Sequence, residues 1–374
     1  MRRSISAFVV LMLLVGRQPA VAQTQGEGVT TPQTLAPFDP ARPLCAEPAG
    51  LERVLAFAQD NDRQFMQGTA AGLAAAARDR GLRFQVMMAA NSPQKMIEDV
   101  EAARRSKFGA VVAAPINALT LGPSLKALIR DGSYVGSVVP PPAVTILNAP
   151  QFLTGQVLGE AAADYIKAKL GGRARVVLLT HDTNQFLAQR FVAMRQALRR
   201  VPGTTIVADI SPLTVNKPGG YDTMRKVMIA YPSVDVVLGA DTVVLGALAA
   251  VREAGQARPS QFFGGIDGEP EAIAELKKGS EYKISVSLAS PVFGYAMGQH
   301  AADWLEGKSV PQAMNILPTK LSIENIEQYE RDLGNPGLIY RDERKRADYL
   351  RMYGNICNDT RDQFLNFPWS SERM

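Results

Sequence analysis

The side chains best suited to chemistry stand where apolar runs end. Gln59-Asp60-Asn61-Asp62 follows the run 53–58, His181 opens the polar stretch after 175–180, Asp241 follows 235–240, and Asp267 follows 262–266. In open parallel sheets, ligands bind beyond the carboxyl ends of the strands. Asn61, Asp62, His181, Asp241 and Asp267 are therefore candidate hydrogen-bonding groups for a small polar ligand. Phe65, beside the first polar loop, adds an aromatic face, and Arg190 lies in the first turns of a helical stretch. Each has a competing structural role. Asp267 and Asp241 precede helical stretches and could cap them. Arg190 could share a solvated face with Arg195 and Arg199, and Phe65 could be core.

Covalent and redox chemistry is not written into the chain. It lacks a hydrolase nucleophile elbow, a phosphate-binding Gly-Lys loop and a dinucleotide fingerprint. Gly307-Lys308-Ser309 misses the preceding glycine of such a loop and ends a helical stretch. The two histidines, His181 and His300, and the two cysteines at opposite chain ends form no metal-ligand set. The expectation is a binding protein with no cofactor, not an enzyme.

Two rounds of alternating strands and helices position these residues. Short continuous apolar runs at 53–58, 84–90, 110–115, 134–139 and 144–147 alternate with helical patterns at 65–80, 93–106 and 119–131. The rhythm restarts with strands at 175–180, 205–210, 235–240 and 262–266 among helices at 152–170, 185–200, 221–230, 243–255 and 269–278. A strand at 283–288, a helix at 292–306 and a strand at 315–322 finish it. Uninterrupted apolar strands between amphipathic helices predict parallel sheets covered on both faces. The fold class is α/β, with two Rossmann-like lobes joined by a three-strand hinge near Asn148, Leu288 and Asn315. The expected first lobe is 51–147 plus 289–314, and the second is 148–288 plus 315–325.

The ends differ in kind. Arg2 and Arg3 precede an apolar run at 7–16, and Ala20-Val21-Ala22 supplies a small-x-small cleavage pattern, which predicts a secretory signal peptide over 1–22 and release near Gln23. The run is shorter than the ~20 residues that span a bilayer. Removing 1–22 lowers the formal charge from +5 to +2, so the basic balance is no argument for nucleic acid. Residues 23–50 read as an arm and 326–374 as a charged, aromatic extension, with Tyr329, Tyr340, Tyr349, Tyr353 and Trp369, that packs over the back of a lobe. Cys45 and Cys357 are expected to bridge the two ends in an oxidising compartment.

The ordered set of Arg53 to Ala58 with its polar loop and Phe65, Asn91-Ser92-Pro93, Gly109 to Pro115, Val234 to Asp241 and Phe263 to Gly268 resembles the ribose- and galactose-type periplasmic binding proteins of ABC transporters. The resemblance covers about 51–323. It implies a periplasmic, monomeric protein whose cleft closes on a small polar molecule of sugar or polyol type, and which meets a membrane ABC permease or, alternatively, a sensor histidine kinase or chemoreceptor. It implies no nucleic-acid partner. Asp267 matches the family aspartate that accepts from ligand hydroxyls, Phe65 the aromatic that covers a sugar face, and Arg190 the start of the family's Arg-x-x-Gly-Phe pattern, whose Gly and Phe are replaced here by Ala193 and Met194. Other positions depart from it. Pro140-Pro141 stands where ribose binders have Asp-Arg, Ala240-Asp241 where they have Asn-Asp, and Leu288 or a neighbouring serine where they have a hinge glutamine.

Overall fold

A parallel strand covered on both faces needs apolar residues at consecutive positions rather than alternate ones, and Val54 to Ala58, all buried, satisfy that in the first strand. The computed structural model describes residues 27–29, 33–138, 142–181, 184 and 186–366. The expected signal peptide, Pro140-Pro141, Gln185 and Trp369 lie outside the described residues.

The first lobe begins with β1 (Glu52–Gln59), α1 (Gln64–Asp79), β2 (Arg83–Met88), α2 (Pro93–Arg105), β3 (Phe108–Ala113), α3 (Ala118–Arg130), β4 (Tyr134–Ser137) and β5 (Thr145–Asn148). The helices start where local chemistry favours it. Ser92 accepts the Lys95 N–H ahead of Pro93, and Asn117 accepts from Leu119 and Thr120. The second lobe follows with α4 (Gln151–Lys169), β6 (Arg173–Leu179), α5 (Ala188–Arg199), β7 (Gly203–Ile210), α6 (Lys217–Ala230), β8 (Val236–Ala240), α7 (Asp241–Glu253), β9 (Phe262–Asp267), α8 (Pro270–Lys277) and β10 (Tyr282–Ser287). Then come α9 (Ser290–Leu305), β11 (Ala313–Ile316), β12 (Thr319–Leu321), α10 (Ile326–Leu333), α11 (Pro336–Arg341), α12 (Glu343–Tyr349) and β13 (Leu350–Tyr353).

These strands form a seven-stranded sheet, β13-β11-β5-β4-β3-β1-β2, and a six-stranded sheet, β12-β10-β9-β8-β6-β7. Pairing is parallel except at one edge of each sheet, where β13 and β12 run antiparallel to their neighbours. The result is the two-lobed α/β architecture read from the strand–helix rhythm. The chain passes between sheets after β5, between β10 and α9, and between β11 and β12.

The stretch 315–322, read above as one strand, is two strands in different sheets. Pro318, which has no N–H to donate to a ladder, lies between them. Asn315, expected to open the second-lobe segment, lies instead in β11 of the first sheet, where it is paired with Asn148 and accepts its side-chain N–H at 2.8 Å.

The C-terminal extension reaches both lobes. Glu330 of α10 pairs with Lys277 of α8, and the Tyr329 hydroxyl shares a hydrogen bond with Ser287 at the end of β10. α11 lies on α9 of the first lobe, with the Tyr340 ring 5.8 Å from that of Tyr295, and β13 extends the first sheet. The chain thus crosses between the lobes a fourth time, at Gly334-Asn335. The N-terminal arm is zipped to the same extension. Phe38 donates to the Met352 carbonyl at 2.9 Å, Val29 bridges Leu365, and Cys45 is disulfide-bonded to Cys357.

Because that bond closes a loop of 312 residues, its removal should release most of the unfolded chain. The Cys45→Ser/Cys357→Ser variant is expected to lose about 2–5 kcal/mol of stability in denaturant titration. Thiol labelling of the folded, exported protein should find no reactive cysteine before reduction; two freely labelled thiols would refute the link.

Candidate functional site

The strand-end edge of the second lobe is built on a buried carboxylate. Asp241 is fully buried, its Oδ1 accepting the Tyr282 hydroxyl at 2.6 Å and its Oδ2 accepting the Ser285 hydroxyl at 2.7 Å and the Glu269 N–H at 2.9 Å. Burial pushes its pKa up, and the donors oppose that shift. Gly265 on β9 leaves the space this cluster needs, since a Cβ there would overlap both Asp241 Oδ1 and the Tyr282 hydroxyl. Asp241 is not the cap of α7: it is the first helical residue, after Ala240. Its oxygens are committed to β10 and to the turn after β9.

That turn carries Asp267 and Glu269. Asp267 has φ +127°, a region that non-glycine residues rarely enter. Its half-buried carboxylate accepts no protein hydrogen bond among the described residues. Burial, with repulsion from Asp241, pushes its pKa up to about 7, against the pull of Arg190 and Arg63.

Arg190 comes from the first turn of α5 and is 6 % exposed. Its Nε donates to Gln151 Oε1 of α4 at 2.7 Å. Gly155, one turn further along α4, lets the Arg190 backbone approach closely, because a Cβ there would overlap the Arg190 carbonyl. The terminal guanidinium nitrogens have no protein partner among the described residues. Desolvation lowers the arginine pKa, and the Asp267 charge opposes this. A desolvated guanidinium fork and a desolvated carboxylate, each with bonding capacity unspent, are therefore electrostatic neighbours at the strand ends.

The first lobe supplies Phe65, which is buried, its ring 5.7 Å from Phe293 at 46°. Asn61 shapes the preceding loop: its side chain donates to Asn91 and accepts from Arg63, while Asp60 pairs with Arg63 at 2.6 Å. Asp62 is exposed, and its carbonyl takes the Gln67 side chain. His181 is half-buried after β6, its carbonyl accepting the Asn184 N–H at 3.0 Å.

The lobes touch through two helix starts that cap each other. The Phe65 N–H in α1 donates to Glu269 Oε1 of the second lobe at 3.4 Å, and the Glu271 N–H in α8 donates to Gln64 Oε1 of the first at 3.1 Å. Neither helix has a side-chain cap from its own N-cap residue. Beside this contact lies a cavity of about 620 Å³, lined by Gln64 and Phe65 of the first lobe, Asp267 and Glu269 of the second, and Leu333 of the extension. Glu269, read in the sequence only as a helix start, is 3 % exposed. Burial and the charges of Asp267 and Asp241 push its pKa up to about 8. The spacing Asp267-Gly268-Glu269 at a strand end was the available signal.

Both carboxyls titrate higher in the folded protein than their ordinary values of 3.8 and 4.5. The folded state then holds protons that the unfolded state has lost, so the stability they contribute is fully present below about pH 4 and disappears as pH rises through 7 and 8. Denaturant titrations of the ligand-free protein should show stability falling across this window, with Glu269→Gln flattening its upper part. Identical profiles for both proteins would contradict the assignment.

Residues 54–309 match the sequence profile of the periplasmic binding protein domain. No curated protein sequence shows significant similarity to the chain. Solved structures of similar fold include an ABC transporter periplasmic solute binding protein from Actinobacillus succinogenes 130z with bound D-allose. It has a TM-score of 0.66 and 19 % identity, over 74 % of this chain and 99 % of that one. The Caulobacter myo-inositol binding protein bound to myo-inositol gives 0.65 and 22 %, over 77 % and 99 %. A twin-arginine translocation pathway signal protein from Burkholderia phytofirmans gives 0.68 and 20 %, over 82 % and 98 %. Since the profile match takes in more than half of the chain, including both runs of alternating strands and helices, the chain belongs to the periplasmic binding protein family, whose members bind solutes rather than transform them.

Proposed function

We propose that this protein is exported by its N-terminal signal peptide, captures a sugar or polyol between its lobes, and delivers it to the permease of an ABC transporter. The observation that carries this reading is the unspent hydrogen-bonding capacity of Asp267 and Arg190 at the strand ends. A carboxylate accepts from hydroxyls and a guanidinium donates to hydroxyl or ring oxygens, which is the pairing a polyhydroxylated molecule offers. Phe65 adds an apolar surface on the facing lobe. Micromolar affinity requires ~8 kcal/mol, within reach of a few charge-assisted bonds and a covered sugar face. The D-allose and myo-inositol named for two structural relatives are of this chemical class.

The extension favours a second reading, presentation of the ligand-bound state to a membrane sensor kinase or chemoreceptor. It lies beyond the family match and joins both lobes, so it offers a partner a surface that depends on their relative position.

Asp267→Ala and Asp267→Asn should weaken binding of the cognate sugar or polyol by about ten- to a hundredfold, as expected for one or two lost charge-assisted bonds. The fold should persist, because this carboxylate holds no protein donor. Calorimetry checks the affinity, and solution scattering checks that the wild type becomes more compact on binding. Native affinity in both variants would remove Asp267 from the site.

A further inference from the structure

The cavity between the lobes is acidic without a matching cation. Asp267 and Glu269 both line it, and no lysine or arginine does. Arg63 reaches the same region but is tied to Asp60 and Asn61. Glu330, on the far wall, already pairs with Lys277, and Asp241 is saturated by neutral donors. Arg190 is the one unspent cation acting on Asp267 among the described residues, and the cation acting on Glu269 is the already committed Arg63. Glu269 is almost wholly buried, and its one protein donor is the Phe65 N–H at 3.4 Å, bound through Oε1. The second carboxylate oxygen has no partner among the described residues. The Glu269 side chain, nearly wholly buried on the cavity wall with one oxygen unspent, marks the place as a site for a bound molecule, while Arg190, nearly buried with both terminal nitrogens unspent, acts on Asp267 from outside the cavity lining.

We propose that the ligand is a sugar or polyol bearing a protonated amine, its ammonium group held between Asp267 and Glu269 while Arg190 donates to its hydroxyl oxygens. This rests on the sugar-or-polyol reading above and narrows it. An ammonium group supplies the positive charge and the donors that both carboxylates lack. It also predicts proton release, because bringing a cation to carboxyls whose pKa values are raised by burial and by the Asp241 charge, against the pull of Arg63, drives them to ionise.

Calorimetry on the full-length, disulfide-intact protein tests this with glucosamine, galactosamine and an amino-inositol, each beside its neutral parent and its N-acetyl form. The amines are expected to bind about ten- to a hundredfold more tightly than either neutral form at pH 7.5, the size of one charge-assisted contact. Binding in buffers of different ionisation enthalpy should show protons released with the amines alone. Glu269→Gln keeps an acceptor for the Phe65 N–H and should erase the preference for the amine over its neutral parent. Neutral parents that bind as tightly as the amines, without proton release, would overturn the inference and leave the sugar reading standing. Absence of binding by every member of both series to the folded protein would overturn the two together.

Discussion

The candidate site depends on one buried charge. Asp241 fastens three otherwise separate pieces, the start of α7, strand β10 through Tyr282 and Ser285, and the turn after β9 through the Glu269 N–H. An ion so fully desolvated is tolerable only while its donors are in place, and stripping a partner from a buried charge typically costs about 3–5 kcal/mol. The cluster is self-consistent, since burial and the neighbouring carboxylate keep the Tyr282 hydroxyl protonated, and therefore a donor, far above its usual range. It also explains how Asp267 can occupy φ +127°. Backbone strain of this kind costs on the order of 1–3 kcal/mol and persists only where surrounding bonds over-determine the turn.

The same economy of donors shapes the hinge. Where the resemblance implies a glutamine reaching the ligand, Leu288 is buried, and the neighbouring Ser287 accepts the Ala289 N–H at 2.9 Å while bonding to Tyr329 from the extension. Polar capacity that ribose-type relatives direct into the cleft is spent here inside the protein. Unspent polar capacity at this edge of the lobe is thereby left on Asp267, Glu269 and Arg190 among the described residues.

Much of the fold was legible because parallel strands covered on both faces leave a plain signature: Leu55 to Ala58, Val111 to Ala113 and Val236 to Leu238 are unbroken apolar runs, all buried. The break at Pro318 was legible in principle, since proline interrupts a ladder, but continuous β propensity on either side concealed the change of sheet. β13 was hidden for another reason: Leu350 to Tyr353 is an edge strand with one fully buried residue, stabilised by pairing with β11 rather than by its own pattern. At the site, the strand-end position of Asp267 and the partial match of Arg190 to the family's Arg-x-x-Gly-Phe pattern sufficed to nominate them. The loop role of Asn61 and the buried role of Asp241 depend on partners 30 and 44 residues away, Asn91 and Ser285, which no local spacing reveals. Glu269 was missed because its capping target, the Phe65 N–H, lies in the other lobe.

The extension alters what motion between the lobes requires. A hinge of three passages can rotate by changing a few backbone angles at each, but here a fourth covalent path runs through Gly334-Asn335, anchored on one side by Lys277 and Ser287 and on the other by α9 and the first sheet. The far end of that path is itself pinned, through Cys357, to the N-terminal arm. Opening the lobes must therefore change the backbone at this fourth passage too, or release α10 from the second lobe. The Tyr329 hydroxyl lies close enough to Gly268 that a Cβ there would collide with it, and Glu330 and Leu333 line the cavity that holds Asp267 and Glu269. The extension and the turn that carries Asp267 are consequently in direct contact, so a shift in that turn reaches α10, which touches the cavity and the end of β10 together.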